Sequence, residues 1–291
     1  MRLPRSFKQV RQGSSVAIVR EDFALQVDAL DPGHEQQLME GTGLVGRGSI
    51  KALRGVVLDG SRVVVRHARR GGLLRRIIPD TFFGRCRPFR ELLVAQKAHS
   101  LGIPTAEVVA AVRRGVLGPF YRGDVYSKEV TGAVDLLSYL RSADQHADRR
   151  SLRAKRDTLR EAGRIVRMAH DAGLLHADLQ LKNILVRLDG KPAIFLIDLD
   201  KGRWYKRLRY PLRMMNLLRL ARSAAKAARS GALISRTDLL RFLKGYLGSA
   251  EARTFSVYWR APVLKPMFRV KWAMSDALYR LTGARALTGV R

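Results

Sequence analysis

The sequence predicts an α+β protein of two lobes, a β-rich N-lobe with one main helix and a mostly helical C-lobe. Two observations lead to this class. Apolar runs separated by glycine-containing turns dominate residues 41–130, whereas apolar residues at helical spacing dominate residues 131–291. The length of 291 residues is enough for two lobes with a core each. Residues 1–40 show little pattern and are assigned to an irregular N-terminal extension.

The N-lobe is predicted to contain a hairpin, a helix and two further strands. Asp59-Gly60 is a strong turn signal between two β-rich runs, so we expect a hairpin there. Residues 88–101 form the predicted helix, because proline suits its first turn and Gly102 suits its C-terminal end. Residues 106–112 and 119–130 are predicted strands.

The C-lobe is predicted to begin with a long helix over residues 151–173. Its apolar stripe is expected to face the core and its arginines the solvent. A second hairpin is predicted over 184–198 around Asp189-Gly190, followed by helices. The stripe consists of Leu152, Leu159, Ala162, Val166 and Ala169.

The charge of the chain restricts its function. It has 55 Lys and Arg against 25 Asp and Glu, a net charge of +30 that predicts a polyanionic partner. The single cysteine, Cys86, excludes an internal disulfide and a cysteine-cluster metal site. No apolar run is long enough for a membrane-spanning helix, and no targeting segment stands out at the N-terminus.

The strongest chemical signal lies at the open end of the second hairpin. If the hairpin is centred between Gly190 and Lys191, Asn183 lies opposite Asp198, and Asp178 approaches the same end. Amide and carboxylate oxygens suit Mg²⁺, and a carboxylate beside the metal can accept a proton from an attacking hydroxyl. Each residue alone could equally be a strand cap. Together, their order resembles the catalytic and metal loops of protein kinases.

Two features of the first half fit the same chemistry. Gly43, Gly46 and Gly48 have a spacing that lets backbone N–H groups approach phosphate oxygens, although a plain flexible turn has the same spacing. Glu91 shares a helix face with alanine and valine and therefore needs a cationic partner if buried. The alternative is that Glu91 faces solvent beside Arg87 or Arg90.

Residues 43–204 resemble the bacterial lipopolysaccharide core kinases, most closely the 3-deoxy-D-manno-octulosonic acid (Kdo) kinases. The resemblance covers a little over half of the chain, and its most specific parts are the run 66–72 and His176-Ala-Asp178. The stretches that carry it are 65–73, 88–92, 101–104, 120–124, 176–179, 183–185 and 196–203.

The resemblance implies a protein-kinase-like fold and transfer of the ATP γ-phosphate to a sugar hydroxyl. In Kdo kinases the acceptor is the 4-hydroxyl of Kdo on Kdo–lipid A, at the cytoplasmic face of the inner membrane. By position, Asp178 would be the catalytic base and His176 would brace its loop. Asn183 and Asp198 would bind Mg²⁺, with Asp200 as a further metal ligand or a structural contact.

The nucleotide would be held by two further groups of residues. By the same resemblance, Arg66 and Glu91 would orient the phosphates. Lys128, Glu129 and Val130 would form the hinge that hydrogen-bonds adenine.

The chain departs from the protein-kinase pattern at three places. Gln180 stands where Ser/Thr kinases have a lysine, which weakens a protein-substrate interpretation. The segment from Asp198 to Asp200 replaces Asp-Phe-Gly, and no Ala-Pro-Glu follows at the usual distance. A long regulatory activation loop is therefore not expected.

Two basic segments suggest where the anionic partner binds. Residues 201–237 contain 11 Lys and Arg and no acid, interleaved with apolar residues, which predicts contact with the anionic inner-membrane surface. Residues 62–90 contain nine arginines and predict contact with a phosphorylated glycolipid. Both could instead be solvated surface. The expected location is cytoplasmic, peripheral on the inner membrane.

Three alternatives remain open from the sequence. The acceptor could be another inner-core sugar such as heptose. The chain could be a protein or aminoglycoside kinase of the same fold, although Gln180 and the high positive charge argue against these. From another class, it could be a non-catalytic nucleic-acid- or membrane-binding module, which would not need Asp178, Asn183 and Asp198 together. No specific nucleic-acid partner is predicted.

Overall fold

The computed structural model of the chain describes residues 3–23, 39–40, 50–58, 60–68, 81–143 and 148–259. It has a large antiparallel sheet in the first half and a helical second half, as the sequence predicts. We place the boundary between the lobes at residue 130, because the large sheet ends at Lys128 and the next strand joins a different sheet.

The N-lobe sheet has eight strands, all paired antiparallel. Their order is β1-β2-β7-β8-β5-β4-β3, and β6 pairs with β8. The strands are β1 Phe7–Gln12, β2 Ser15–Arg20, β3 Met39–Glu40, β4 Ile50–Leu58, β5 Ser61–His67, β6 Phe82–Phe83, β7 Val108–Gly115 and β8 Phe120–Lys128.

The prediction that the N-terminal extension is irregular is wrong for residues 7–20. These residues form β1 and β2, and β2 pairs with β7 in the middle of the sheet. Ala17, Ile18 and Val19 are all buried, so β2 has a continuous apolar run rather than an alternating pattern. β1 is mostly exposed and polar, so it also lacks the apolar residues that would mark it as the partner strand of a hairpin.

The predicted hairpin and helix of the N-lobe are confirmed. β4 and β5 pair across the turn that contains Gly60, with Leu58 opposite Ser61. The helix, α1, spans Arg87–Ser100 and ends before Gly102, which has a φ of +71°. Its inner face packs on β7 and β8.

Over residues 131–143 and 148–259, which are the described part of the C-lobe, the structure has small sheets and four helices. β11 lies between β12 and β9, and β10 pairs with β13. Gly248 interrupts the last helix with a φ of +79°. The elements are β9 Ala133–Asp135, α2 Leu136–Ala143, α3 Arg149–Asp171, β10 Leu174–Leu175, β11 Ile184–Asp189, β12 Lys191–Leu196, β13 Arg203–Trp204, α4 Tyr210–Arg229 and α5 Arg236–Trp259.

Two glycines bring α3 and α5 into backbone contact. A β-carbon on Gly163 would lie 2.1 Å from the carbonyl oxygen of Phe242, and one on Gly245 would lie 1.8 Å from that of Arg160. The predicted apolar stripe of α3 is buried there, except for Leu152, which is 48% exposed. Leu152 lies in the first turn of α3, at the outer end of the helix.

The hairpin β11–β12 forms with a register one residue away from the prediction. Ile184 pairs with Leu196 and Asp189 with Lys191, so the turn is centred on Gly190 and not between Gly190 and Lys191. Gly190 has a φ of +76°, which permits the odd-numbered turn. Asn183 therefore lies opposite Ile197, whose N–H donates to the Asn183 carbonyl at 3.1 Å, and not opposite Asp198.

The two lobes share one hydrophobic core around this hairpin. Leu92 of α1, Ile103, and Ile194 and Leu196 of β12 all belong to it. Thr105 forms a bridge with Leu196, which fixes the hairpin to the segment after α1. Among the residues that the structure describes, no helix is long and apolar enough to cross a bilayer.

Candidate active site

His176 braces the loop between β10 and β11. It is 2% exposed, and its Nε2 donates to the carbonyl of Ile197 at 2.9 Å. Burial lowers the pKa of His176, so the ring is neutral. This hydrogen bond ties the loop to the residue before Asp198, as a bracing role requires.

Asp178 is held by three side chains that come from different parts of the chain. Its Oδ1 accepts from Gln180 Nε2 at 2.5 Å and from Arg219 Nε at 2.8 Å, and Oδ2 lies 3.0 Å from Lys201 Nζ. Burial by itself would raise the pKa of Asp178. The hydrogen bonds from Gln180 and Lys201 and the charge of Arg219 hold it below its ordinary value.

Lys201 and Arg219 were not predicted from the sequence to lie in this site. Lys201 follows Asp200 directly, so the metal-loop motif carried a signal that could have identified it. Arg219 comes from the middle of α4, 41 residues after Asp178, and nothing local distinguishes it from the other arginines of that helix.

Asn183 is fixed by its own side-chain nitrogen. Nδ2 donates to the backbone carbonyl of Asp178 at 2.8 Å, which leaves the amide oxygen Oδ1 as an acceptor for a cation. Asn183 closes the 3-10 turn Leu181–Asn183, and the N–H of Leu181 donates to the Ser223 hydroxyl of α4 at 3.2 Å. The loop is thereby attached to both β11 and α4.

Asp198 and Asp200 place two carboxylates after β12. Asp198 is in the left-handed region, with a φ of +63°, and its Oδ1 lies 3.3 Å from Arg66 Nη1. Burial, and then the negative charge of Asp198, raise the pKa of Asp200. A cation bound between the two carboxylates would relieve this repulsion, so the residues fit Mg²⁺.

The protein itself would supply only part of the metal coordination. Within the described ranges, no group of three or more His, Cys, Asp or Glu side chains has the geometry of a metal site. Mg²⁺ would therefore bind two carboxylates, the Asn183 amide oxygen, nucleotide phosphates and water, which is a usual set for this ion.

Arg66 and Glu91 form the ion pair expected of them. Arg66 Nη2 lies 2.6 and 2.5 Å from the two oxygens of Glu91, whose side chain is 7% exposed. Burial raises the pKa of Glu91, and the charge of Arg66 opposes that rise. The alternative in which Glu91 faces solvent is wrong. Arg90 instead donates to the Gly202 carbonyl at 2.9 Å.

The predicted hinge is partly occupied by contacts within the protein. The N–H of Lys128 donates to the Glu107 carbonyl and that of Glu129 to the Arg62 carbonyl, both at 2.8 Å. Val130 accepts from the N–H of Ala133 at 3.1 Å. Contact of this segment with adenine stays a prediction.

The structure describes only part of the first basic segment and none of the three glycines. Gly43, Gly46 and Gly48 lie outside the described residues, as do residues 69–80 of the segment 62–90. Arg62 of that segment pairs with Glu129 at 2.7 Å, and Arg66 pairs with Glu91.

The second basic segment, 201–237, does not present all its cations to a membrane. Arg213 pairs with Asp171 at 2.5 Å and donates to the carbonyl of Leu208. Lys201 and Arg219 pair with Asp178. Membrane contact by this segment stays a prediction, and these three cations already pair with carboxylates of the protein.

Comparisons with known proteins agree with this geometry. A family profile described as "Lipopolysaccharide kinase (Kdo/WaaP) family" matches residues 48–246. The 3-deoxy-D-manno-octulosonic acid kinase of Actinobacillus succinogenes is 32% identical over 213 residues, 69% of this chain and 82% of that protein. One from Haemophilus influenzae is 29% identical over 192 residues, 62% of this chain and 73% of that protein.

A solved structure confirms the predicted fold. WaaP, in its complex with acyl carrier protein, superposes with a TM-score of 0.58 over 88% of this chain and 97% of its own. The two sequences are 21% identical, so the match shows a shared kinase-like fold.

Proposed function

Because this chain belongs to the lipopolysaccharide kinase (Kdo/WaaP) family, we propose that it transfers the γ-phosphate of ATP to the 4-hydroxyl of Kdo on Kdo–lipid A. Family membership makes it a phosphotransferase of the lipopolysaccharide core that uses ATP. The choice of Kdo and of its 4-hydroxyl is the finer part of the proposal, supported by relatives that are named Kdo kinases.

One observation carries the assignment of the site. Arg66 lies between Glu91 of α1 and Asp198 after β12, so a single guanidinium joins the N-lobe helix to the predicted metal loop. Burial works against the charge of Arg66, but Glu91 and Asp198 raise its pKa, and it stays cationic. A fixed cation at this position can hold the phosphates of ATP.

The residues then have distinct roles in the reaction. Asp178 orients the acceptor hydroxyl and accepts its proton as the phosphoryl group is transferred. Arg66 orients the phosphates, while Glu91 keeps Arg66 in place. Asn183, Asp198 and Asp200 would hold Mg²⁺, which when bound neutralises charge on the transferred group. His176 positions the loop through the Ile197 carbonyl.

The remaining contacts with nucleotide and membrane belong to the same proposal. The hinge formed by Lys128, Glu129 and Val130 would hold adenine, and Gly43, Gly46 and Gly48 would cover the phosphates. The cations of 201–237 that do not pair with Asp171 or Asp178 would hold the protein against the anionic inner membrane.

Mass spectrometry of Kdo–lipid A tests the proposal directly. The purified protein is incubated with the glycolipid, ATP and Mg²⁺, beside an Asp178→Ala variant. We expect a gain of one phosphate on Kdo, absent with the variant. If heptosylated core gains phosphate and Kdo–lipid A does not, the acceptor assignment is wrong. If no glycolipid gains phosphate and ATP does not bind, the assignment of the site is wrong.

A further inference from the structure

Two half-exposed cations flank the predicted base. The side chain of Asp178 is 11% exposed, whereas those of Lys201 and Arg219 are 52% and 46% exposed. Lys201 comes from the 3-10 turn Leu199–Lys201, and Arg219 comes from α4. They approach different oxygens of one carboxylate, so two cationic side chains contact Asp178 directly.

Two cationic partners are more than Asp178 needs for its own stability. Gln180 already donates to Oδ1, and an ion pair with a half-exposed partner contributes little to folding. Both cations keep about half of their surface open to solvent, so each can take a second anionic partner without leaving the site. Asp178 is also where the acceptor hydroxyl has to bind.

The two cations differ from those that hold the nucleotide. Arg66 is bounded by Glu91 and Asp198, so its charge is balanced within the protein before any ligand arrives. Lys201 and Arg219 both pair with Asp178, and the charge of Lys201 also acts on Asp200. Both stay about half exposed, so an anion that arrives with the acceptor can reach them beside the base.

We propose that Arg219 and Lys201 form an anion site that binds a carboxylate or phosphate group of the acceptor glycolipid and so selects acidic acceptors. This inference rests on the proposed function, because it takes Asp178 as the residue that meets the acceptor. The anion has two sources in such a glycolipid, the carboxylate of the sugar acid and the phosphates of the lipid. Arg219 is suited to either, since its guanidinium can donate two parallel hydrogen bonds to one anion.

Steady-state kinetics of Arg219→Gln test the site. We expect the KM for Kdo–lipid A to rise about tenfold or more, the kcat to stay within about threefold and the KM for ATP to be unchanged. Arg219→Lys, which keeps the charge, should recover part of the loss. Arg164→Gln removes the same charge from an exposed Glu–Arg pair on α3, outside both basic segments, and should behave as wild type. Lys201→Gln should also raise the acceptor KM.

Modified acceptors identify which anion is bound. One has the Kdo carboxylate esterified, and the other has the lipid phosphates removed. The recognised group is the one whose modification raises the acceptor KM of the wild type but has no further effect on the KM of Arg219→Gln. If both modifications weaken Arg219→Gln as much as wild type, or if its acceptor KM does not rise, the proposal is wrong. A fall in kcat alone for Lys201→Gln would remove that residue from the site.

Binding measurements separate this inference from the proposed function. Equilibrium binding of Kdo–lipid A micelles by wild type, Arg219→Gln and Arg164→Gln needs no turnover. If the protein does not phosphorylate Kdo–lipid A but Arg219→Gln alone binds it about tenfold more weakly, the anion site stands and the acceptor assignment fails. If all three bind equally, the anion site is wrong even where phosphorylation occurs.

Discussion

The Arg66–Glu91 pair and the Asp178 cluster, which consists of Asp178, Lys201 and Arg219, differ in how open they are. Arg66 of β5 and Glu91 of α1 pair within the N-lobe, with side chains 30% and 7% exposed. At Asp178 the carboxylate is nearly buried, but its two cationic partners are about half exposed. The Arg66–Glu91 pair is thus the closed one, with its carboxylate buried before substrate arrives. The Asp178 cluster is the open one, with its cations within reach of a ligand.

This difference matches what the two halves of the reaction require. The nucleotide phosphates have the same structure in every turnover, so a cation fixed in advance costs no reorganisation when they bind. The acceptor is a large glycolipid whose charged groups must be recognised as it approaches. Half-exposed cations can exchange a carboxylate of the protein for an anion of the ligand, which a buried pair cannot do cheaply.

The largest expected effect comes from replacing Asp198, which pairs with Arg66. Asp198→Asn should lower Mg²⁺-dependent phosphoryl transfer by about 10³-fold, because it removes a charge that pairs with Arg66 and that we propose binds the metal. Asparagine tolerates the left-handed backbone that this position adopts, so the fold should persist. Phosphate transfer is measured against Mg²⁺ concentration.

Asp189→Asn provides the matched control for Asp198→Asn. Asp189 lies at the other end of the same hairpin and is exposed. Its variant should retain full activity. Near-normal transfer by Asp198→Asn at ordinary Mg²⁺ concentrations would remove Asp198 from the metal site.

The second prediction tests whether the closed cluster stabilises the fold. Glu91→Gln should lower the free energy of unfolding by about 3 kcal/mol, because Arg66 loses a buried partner. Glu161→Gln breaks an exposed Glu–Arg pair, with Arg164 on α3, and should cost less than about 1 kcal/mol. Urea unfolding of the two variants and the wild type gives both values. Equal losses would contradict the distinction drawn between closed and open pairs.

The smallest expected effect concerns a buried polar cluster that carries no charge. His170 lies between Tyr246 and Asn216, with Nδ1 at 2.7 Å from the Tyr246 hydroxyl and Nε2 at 3.0 Å from Asn216 Oδ1. The pKa of His170 is lowered from 6.5 to about 4, mainly by burial, with the hydrogen bond to Asn216 and the charge of Asp171 opposing the fall and the charge of Arg213 adding to it. The ring is therefore neutral in the folded protein.

The stabilisation from His170 should depend on pH. Between pH 6.5 and 4 the unfolded chain binds a proton that the folded chain does not, so the folded state loses stability as the pH falls. The contribution should be about 2 kcal/mol smaller at pH 5 than at pH 7. The difference in unfolding free energy between wild type and His170→Gln isolates it, because other groups titrate in both. His99→Gln, at an exposed position, should not change the profile.

The parts of the fold that the sequence predicted are those with local signals. α1 has its proline, its apolar face and its terminal glycine within 16 residues, and it was placed to within one residue at each end. The Arg66–Glu91 pair followed from one carboxylate on an apolar face. β1 and β2 carried no alternating pattern and were missed.

The parts that were missed depend on tertiary contacts. The register of β11–β12 depends on the backbone of Gly190, which the pattern of neighbouring residues does not specify. Arg219 reaches Asp178 only because α4 packs beside the loop, where Ser223 accepts from Leu181. Composition could not reveal the contact of Arg219 with Asp178, because a charge count does not show which cations pair with which carboxylates.

The turn at Gly190 limits how the sequences of related proteins can vary. The strands on either side of it are six residues long, so the turn lies roughly 20 Å from the catalytic end. Adding or removing one residue there would exchange the faces on which all later side chains of β12 lie, and Asp198 with them. Evolution should therefore preserve the length of this exposed turn more strictly than its amino acids. In an alignment of relatives, we expect substitutions at 189–191 but no insertions or deletions.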